Sequence, residues 1–547
     1  MKKIFNYILS NYYVLLYALV LLFFPFLFAF SADNWDTSYR ITLNLFYTFF
    51  AYVVLLLCQG NLRKILAVAF LLIAFAPNII VQSFILMGND VILKSTDFWV
   101  VFNTNPSEAT NLFATLSAKV FIWGIIYALS AFSSLLLLFK KGKQEYHIPR
   151  YIQIVAIVIL IGLSAINPFR SKIPMIDFYK SFYKYQSEMR EVAEFYKNRD
   201  DITLDVINTL PVGKKTFLII IGESQNRSHM QLYGYTRPTN PMLMEIKDEL
   251  TAYTDVCSPA IQTLACMKQI LTFTNYEKPD LYKKEANIIE LLHAGGYKIF
   301  WYDNQGKTGN GAFAIDSYTP TSYRTMAKRS DFYEDERSCA MDSVIPIELS
   351  EALSDTAEQK VIFLHLIGNH FDYRQRYDSA FNKFTTNEGT NSPFAEELTQ
   401  RDLEILNAYD NGTLYNDYII RTCIEQLRSQ EGISAMLYFS DHGEEVYDCM
   451  KNAGRSFGEG ISPSMCEPPL VLWTNDAYNA ISNLHLDSSI PVCTDDIIYG
   501  MMDLAGIQYH LYDSTKSIFR QSYIPKERMV QGQTYQSIKE KYLTKEQ

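Results

Sequence analysis

Apolar residues follow two different rhythms along this chain, and the change between them falls near residue 170. Before it they run in long blocks, close to the roughly 20 residues a helix needs to cross the hydrocarbon core of a bilayer. The pattern predicts five spans, near Tyr12 to Phe30, Ile41 to Cys58, Lys64 to Met87, Lys119 to Phe139 and Tyr151 to Pro168. The first is too long, and too soon followed by others, to be a cleaved signal peptide, so it reads as a retained anchor. Adjacent runs of this length and purity are rare in the cores of water-soluble proteins.

Between Arg170 and Asp205 the chain is rich in aromatic residues and Lys, with Phe178, Phe182 and Tyr185 at helical spacing. That pattern suits a helix lying in the headgroup layer, or an amphipathic linker packed on the domain that follows. From about Lys215 the apolar runs shorten to strand length and alternate with helical stretches, the signature of a mostly parallel sheet covered on both faces. Four runs end abruptly in polar residues. Thr216 to Ile221 meets Gly222-Glu223-Ser224, and Tyr297 to Tyr302 meets Asp303-Asn304-Gln305. Val361 to Ile367 meets Gly368-Asn369-His370, and Met436 to Phe439 meets Ser440-Asp441-His442-Gly443. In an open parallel sheet the ligand site lies beyond the carboxyl ends of the strands, so these clusters are expected to converge on one crevice. The division expected is a helical membrane domain over 1–169, interfacial linker helices over 170–210 and an α/β domain over 211–547.

Charge orients the first part. Lys2 and Lys3 precede the first span, Arg63 and Lys64 separate the second from the third, and Lys140, Lys141, Lys143 and Arg150 separate the fourth from the fifth. Short cytoplasmic loops carry such an excess, which places the α/β domain on the outer side. A net charge of -10 argues against nucleic acid as a partner. Of the eight cysteines, Cys58 lies in a span; Cys257, Cys266, Cys339, Cys423, Cys449, Cys466 and Cys493 lie in the exported part. Seven is odd, so at least one thiol stays free or pairs outside the chain, and the pairing is not readable from spacing. The CxxC spacing of structural zinc sites is absent, which leaves oxygen and nitrogen as the ligands of any metal.

Glu223, Asp441 and His442 offer two carboxylates and an imidazole, a set suited to zinc. A Thr or Ser hydroxyl at an open fourth position would lose its proton more readily and become a nucleophile at neutral pH. The segment Cys257 to Cys266 contains Thr263 just ahead of the helical Met267-Lys268-Gln269-Ile270-Leu271, where a helix dipole favours an anion; a plain N-cap is the other reading of that threonine.

The stretch Ile220-Ile221-Gly222-Glu223-Ser224 through Gly234-Tyr235-Thr236-Arg237-Pro238-Thr239-Asn240-Pro241, followed by Ser440-Asp441-His442-Gly443-Glu444, resembles the phosphoethanolamine transferases of the alkaline phosphatase and sulfatase superfamily. The likeness covers the whole chain, from the five spans to Asp495 to Ile507, which looks like the family's final helix. It implies Glu223, Asp441 and His442 as zinc ligands and Thr263 as the nucleophile, itself on the metal. The run from Thr263 to Phe273 is similar to the branch that modifies the heptose region of the lipopolysaccharide core; the Cys-Gly-Thr setting of the lipid A branch is missing. His370 matches a family histidine that contacts the phosphoethanolamine group, and Asn304, Gln305 and Lys307 fall where the family places further substrate contacts.

One departure stands out. Where the family has another histidine about a dozen residues after Asp-His-Gly, this chain has Gly454-Arg455. Arg455 could grip a phosphate oxygen but could not bind zinc, so one firmly held Zn2+ is expected and a second is in doubt. The resemblance implies a multi-pass inner-membrane enzyme with a periplasmic catalytic domain. Its donor would be phosphatidylethanolamine, taken from the surrounding membrane lipid, and its acceptor an envelope glycolipid or glycan, with lipopolysaccharide core or lipid A foremost. Phosphoglycerol transfer and phospho- or sulfo-ester hydrolysis are the sister activities that the same motifs leave open.

Overall fold

The computed structural model describes residues 10–23, 35–58, 60–86 and 118–141, scattered positions within 149–190, and residues 204–305, 341–454 and 460–543. The chain forms two compact units that divide near residue 190. In the first, α1 (Tyr12–Ala18) runs on as a π-turn to Phe23, followed by α2 (Trp35–Leu57), α3 (Gly60–Leu86) and α4 (Ala118–Lys141). Within these, Gly60–Ile80 and Phe121–Lys140 are long and apolar enough to cross a membrane, while Tyr12–Phe23 and Asn44–Leu57 are shorter apolar helices. Helices therefore stand at four of the five expected places; nearly all of the fifth, Tyr151 to Pro168, lies outside the described residues. Ile65, Leu72, Ile125, Leu129 and Leu136 face outward, whereas Tyr17, Tyr127 and Arg63 are buried. Arg63 donates to the Cys58 carbonyl (2.8 Å) and to Asn11 Oδ1 (2.8 Å). An apolar exterior around buried, hydrogen-bonded polar groups such as Arg63 is what hydrocarbon surroundings favour. The helical spacing of Phe178, Phe182 and Tyr185 corresponds to a helix over residues 178–187.

The second unit is built on a six-stranded sheet. Its strands are β1 (Lys215–Gly222), β2 (Leu250–Ala252), β3 (Lys298–Asp303), β4 (Gln359–His365), β5 (Ile433–Ser440) and β6 (Leu470–Thr474), in the spatial order β2-β6-β5-β1-β4-β3. β5, β1, β4 and β3 are parallel neighbours; β6 is reversed and pairs antiparallel with both β5 and β2. The four strands read from the sequence are the parallel set. The sheet is mixed because β6, an apolar run that ends in a helix-capping Asn475 instead of a ligand cluster, runs in reverse between β5 and the edge strand β2.

Both faces are covered, which explains why these strands are apolar at nearly every position. On one side Phe217, Ile219, Ile221, Trp301, Phe363, Leu437 and Phe439 pack with α5 (Thr263–Ile270), α6 (Ile288–Ala294) and α9 (Ile497–Leu504). On the other, Leu218, Ile220, Phe300, Ile362, Leu364, Met436 and Tyr438 pack with α7 (Ile345–Ser354) and α8 (Gln400–Arg428). The helix expected over Asp495 to Ile507 is α9, and a further helix, α10 (Tyr535–Leu543), follows it. Parallel registry then aligns the strand ends: Ile221 pairs with His365 and Phe439, Gly222 with Ser440, and Asp303 with His365.

The long helix α8 begins at a capping box, with Thr399 and Asp402 exchanging side-chain-to-backbone bonds. Its face toward the 225–240 loop is polar. Asp410, fully buried, bonds His229 Nδ1 (2.6 Å), Arg237 Nη1 (2.6 Å) and the Tyr235 hydroxyl (2.8 Å). His229 Nε2 lies 3.2 Å from Asp448 Oδ2. Burial disfavours a charged His229, but Asp448 and Asp410 outweigh it and push its pKa up to about 10.

Two outcomes follow for this network. Because the folded pKa of His229 lies above the unfolded value of about 6.5, its stabilisation is full below pH 6.5 and is lost as pH rises toward 10. Thermal unfolding of the wild type should therefore lose stability over that interval more steeply than that of His229→Gln. Asp410→Asn, which leaves Arg237 without its buried counter-charge, should cost about 3–5 kcal/mol in chemical denaturation.

Candidate active site

At the end of β1 the chain turns sharply at Ser224, whose φ of +55° lies in the left-handed region that residues with side chains seldom occupy. Three bonds hold it there. Its N–H donates to Asp441 Oδ1 (3.2 Å), its hydroxyl donates to Glu223 Oε1 (2.7 Å), and its carbonyl accepts from the Tyr409 hydroxyl on α8 (2.7 Å). The turn leaves Glu223 fully buried at the carboxyl edge of the sheet.

The next strand backs this position. After β4 the Asn369 N–H donates to the Glu223 carbonyl (2.9 Å). Gly368 has φ +50°, and a Cβ there would lie 2.7 Å from the Glu223 carbonyl oxygen, so glycine alone lets the two backbones meet. Asp342 fixes the same turn by accepting from the N–H groups of Ile367 (3.0 Å) and Gly368 (2.9 Å) and from the Asn304 amide (2.8 Å).

From β5 come Asp441 and His442, both fully buried. Asp441 Oδ1 is occupied by the N–H groups of Ser224 and His442, which turns Oδ2 toward His442 Nε2 at 3.2 Å. Nε2 also lies 3.4 Å from Glu223 Oε1. His442 Nδ1 is 2.7 Å from the Gly443 carbonyl, so Nδ1 carries a hydrogen and Nε2 is the nitrogen left to face the carboxylates and a cation between them.

The ligand atoms of Glu223, Asp441 and His442 all lie within 4.8 Å of one another. Ligands at about 2.1 Å from a tetrahedral zinc stand roughly 3.4 Å apart, close to the two separations found here. Two buried carboxylates at this range repel, and a cation between them removes the repulsion. The donor set and its spacing fit a zinc ion.

Thr263 is the first residue of α5, and its hydroxyl does not cap that helix. It donates instead to Glu223 Oε2 at 2.9 Å. Gln305 Nε2 donates to the same oxygen (2.9 Å) and to the Leu366 carbonyl (3.1 Å). Glu223, Asp441, His442, Thr263 and Gln305 thus share one cluster drawn from four segments of chain. Asn304 stands beside it with its amide on Asp342. His370 is partly exposed, its Nδ1 3.1 Å from the Phe371 carbonyl and its own carbonyl accepting from Arg376 Nε (2.9 Å). Lys307 and Arg455 lie outside the described residues.

Sequence reasoning overlooked His365. It placed the end of this strand at Ile367, whereas β4 stops at His365, which thereby joins the polar residues at the strand ends. Its Nδ1 lies 3.2 Å from Asp303 Oδ2. Burial opposes a charge on His365, but Asp303, with smaller contributions from Glu223 and Asp441, raises its pKa overall. The same pairing overcomes burial at Asp303 and lowers its pKa. Ser224 and Tyr409 were also missed, since nothing in local spacing marks a strained turn or its distant support.

Residues 215–507 match the Sulfatase family. The chain is 28% identical over 453 residues to the phosphoethanolamine transferase EptC of Escherichia coli (strain K12), covering 77% of this chain and 76% of that protein. The solved C-terminal periplasmic domain of E. coli EptC in complex with Zn superposes with a TM-score of 0.54 at 28% identity, covering 61% of this chain and 96% of that one. The integral membrane lipooligosaccharide phosphoethanolamine transferase A of Neisseria meningitidis superposes over 93% of this chain and 98% of its own, with a TM-score of 0.63 at 18% identity, a likeness of fold alone. The family match spans more than half of the chain and contains every residue of the cluster just described, and the chain belongs to the sulfatase family.

Proposed function

We propose that this protein is a membrane-anchored phosphoethanolamine transferase in which Thr263 carries the phosphoethanolamine group between a phospholipid donor and an envelope acceptor. The observation that carries the reading is the Thr263 hydroxyl, 2.9 Å from Glu223 within the Glu223, Asp441 and His442 cluster. The relatives named phosphoethanolamine transferases align with it over most of their length. Glu223, Asp441 and His442 would hold one zinc ion, which supplies positive charge that lowers the pKa of the Thr263 hydroxyl and stabilises charge on the phosphoryl oxygens.

The chain's own groups account for the remaining steps. Thr263 Oγ1 points its hydrogen at Glu223 Oε2, an oxygen held in place by Gln305, so the proton has an acceptor before the attack. Bonding of Oγ1 to phosphorus displaces the diacylglycerol oxygen of phosphatidylethanolamine, and His370 is proposed to protonate it. An acceptor hydroxyl oxygen then attacks the phosphothreonine and gives its proton to His370, the Oγ1–P bond breaks, and the proton held by Glu223 returns to Thr263 Oγ1. Lys307 and Arg455 are proposed to grip the phosphoryl oxygens. The apolar N-terminal helices are proposed to anchor the enzyme in the membrane that holds its donor, as a multi-pass inner-membrane protein with a periplasmic catalytic domain. The acceptor is proposed to be lipopolysaccharide core or lipid A.

Incubation with phosphatidylethanolamine labelled in its ethanolamine should place label on the peptide containing Thr263. Thr263→Ala should lose both the label and transfer, a fall of at least about 1,000-fold. Label on Thr263→Ala, or retained transfer, would contradict the scheme; label arriving only from phosphatidylglycerol would assign the sister activity. Gly368→Ala, which presses a methyl onto the Glu223 backbone, should weaken zinc binding about 10–100-fold in a chelator competition while far-UV circular dichroism stays unchanged.

A further inference from the structure

Cysteine is concentrated on one side of the second unit. Cys257, Cys449, Cys466 and Cys493 share one cluster with Ile261, Met465, Tyr535 and Ile538. All four are thiols in this structure, and Cys257, Cys466 and Cys493 are buried. Their environments differ. Cys466 Sγ lies against the carbonyls of Ser462 (3.6 Å) and Pro463 (3.4 Å), and Cys449 Sγ lies 3.5 Å from Ser464 Oγ. Cys257 and Cys493 face each other. Val256–Cys257 and Val492–Cys493 form a two-stranded parallel ladder in which Cys257 stands opposite Cys493.

That register sets the distance between them. Directly paired positions on neighbouring strands have Cα atoms about 5 Å apart, inside the roughly 4.4–6.8 Å that a disulfide bridges. Side chains at paired positions also leave the ladder on the same face. Among the described residues, the grouping tight enough for a metal ion is that of Glu223, Asp441 and His442, so the thiols do not form a coordination sphere.

We propose that Cys257 and Cys493 are joined by a disulfide in the exported protein, tying the loop that presents Thr263 to the C-terminal part of the domain. The inference rests on export of the domain, not on the transfer chemistry. Each thiol gives up its proton, an Sγ–Sγ bond forms, and two electrons pass to an exported thiol–disulfide oxidant whose own disulfide becomes two thiols. Because both thiols end fully buried, this exchange precedes closure of the ladder. Cys257 is followed directly by the Ser258 to Gln262 loop that leads to Thr263, and the Ser258 N–H donates to the Cys466 carbonyl (2.8 Å). Cys493 leads into the turn Thr494–Asp496, which packs against α5. The bridge therefore closes a frame around the helix that begins at Thr263. It also joins positions more than two hundred residues apart, a separation at which a cross-link restricts the unfolded chain most.

The test uses full-length protein in native membranes, acid-quenched, alkylated under denaturing conditions and mapped by mass spectrometry. A Cys257–Cys493 linked peptide is expected; recovery of both as alkylated thiols, or Cys257 joined to Cys466, overturns the proposal. Protease added to spheroplasts reports export separately. Reduced cysteines in a cleaved domain refute the bridge alone, and a protected domain refutes export and bridge together. Cys257→Ser and Cys493→Ser should each lower the unfolding temperature by about 5 °C or more, with the double variant no worse than either single one; additive losses contradict a shared bond.

Discussion

The site depends on the placement of two buried carboxylates, Glu223 and Asp441, on either side of one imidazole nitrogen. Taken out of water, negative charges at this range repel strongly, and only a cation or a proton between them makes the arrangement favourable. The fold fixes both: the side chains of Ser224, Thr263 and Gln305 hold the Glu223 carboxylate, and backbone groups hold Asp441. Asp441 has one oxygen tied by two N–H donors and the other turned inward, while the carbonyl of Gly443 fixes the tautomer of His442. Pre-oriented ligands of this kind gather metal without the entropy cost of ordering them on binding.

The rest of the second unit serves that placement. Parallel registry brings the ends of β1, β4, β5 and β3 to one level, and the strained turn at Ser224 aims Glu223 along that edge. Left-handed backbone at a serine costs of order 1 kcal/mol and persists only where surroundings over-determine it. Here Asp441, Glu223 and Tyr409 supply those bonds, so the candidate ligands and the strained turn support one another. Tyr409 belongs to α8, whose buried face also carries Asp410, Thr413 and Asp417, and through these it anchors the loop that follows the Ser224 turn.

Much of this was legible in the sequence because it is written in local pattern. Apolar runs of strand length ending in Glu223, Asn304, His370 and Asp441 gave the four parallel strands and their common edge. Thr263 and Gln305 followed from the family motif. What stayed hidden was written in tertiary contact. His365 looked like strand interior because the apolar run continues through Leu366 and Ile367. β6 was passed over because no ligand residue ends it. The buried face of α8 escaped apolar periodicity because it is polar, built to hydrogen-bond a loop from the other end of the sequence. Pairing of Cys257 with Cys493 is likewise a matter of register across more than two hundred residues.

The most direct measurement is anomalous scattering from crystals of zinc-replete protein, recorded on both sides of the zinc absorption edge. One difference peak is expected, about 2.0–2.2 Å from oxygens of Glu223 and Asp441, from His442 Nε2 and from Thr263 Oγ1. No peak at that position, or a zinc ion bound elsewhere while those side chains remain apart, would contradict it.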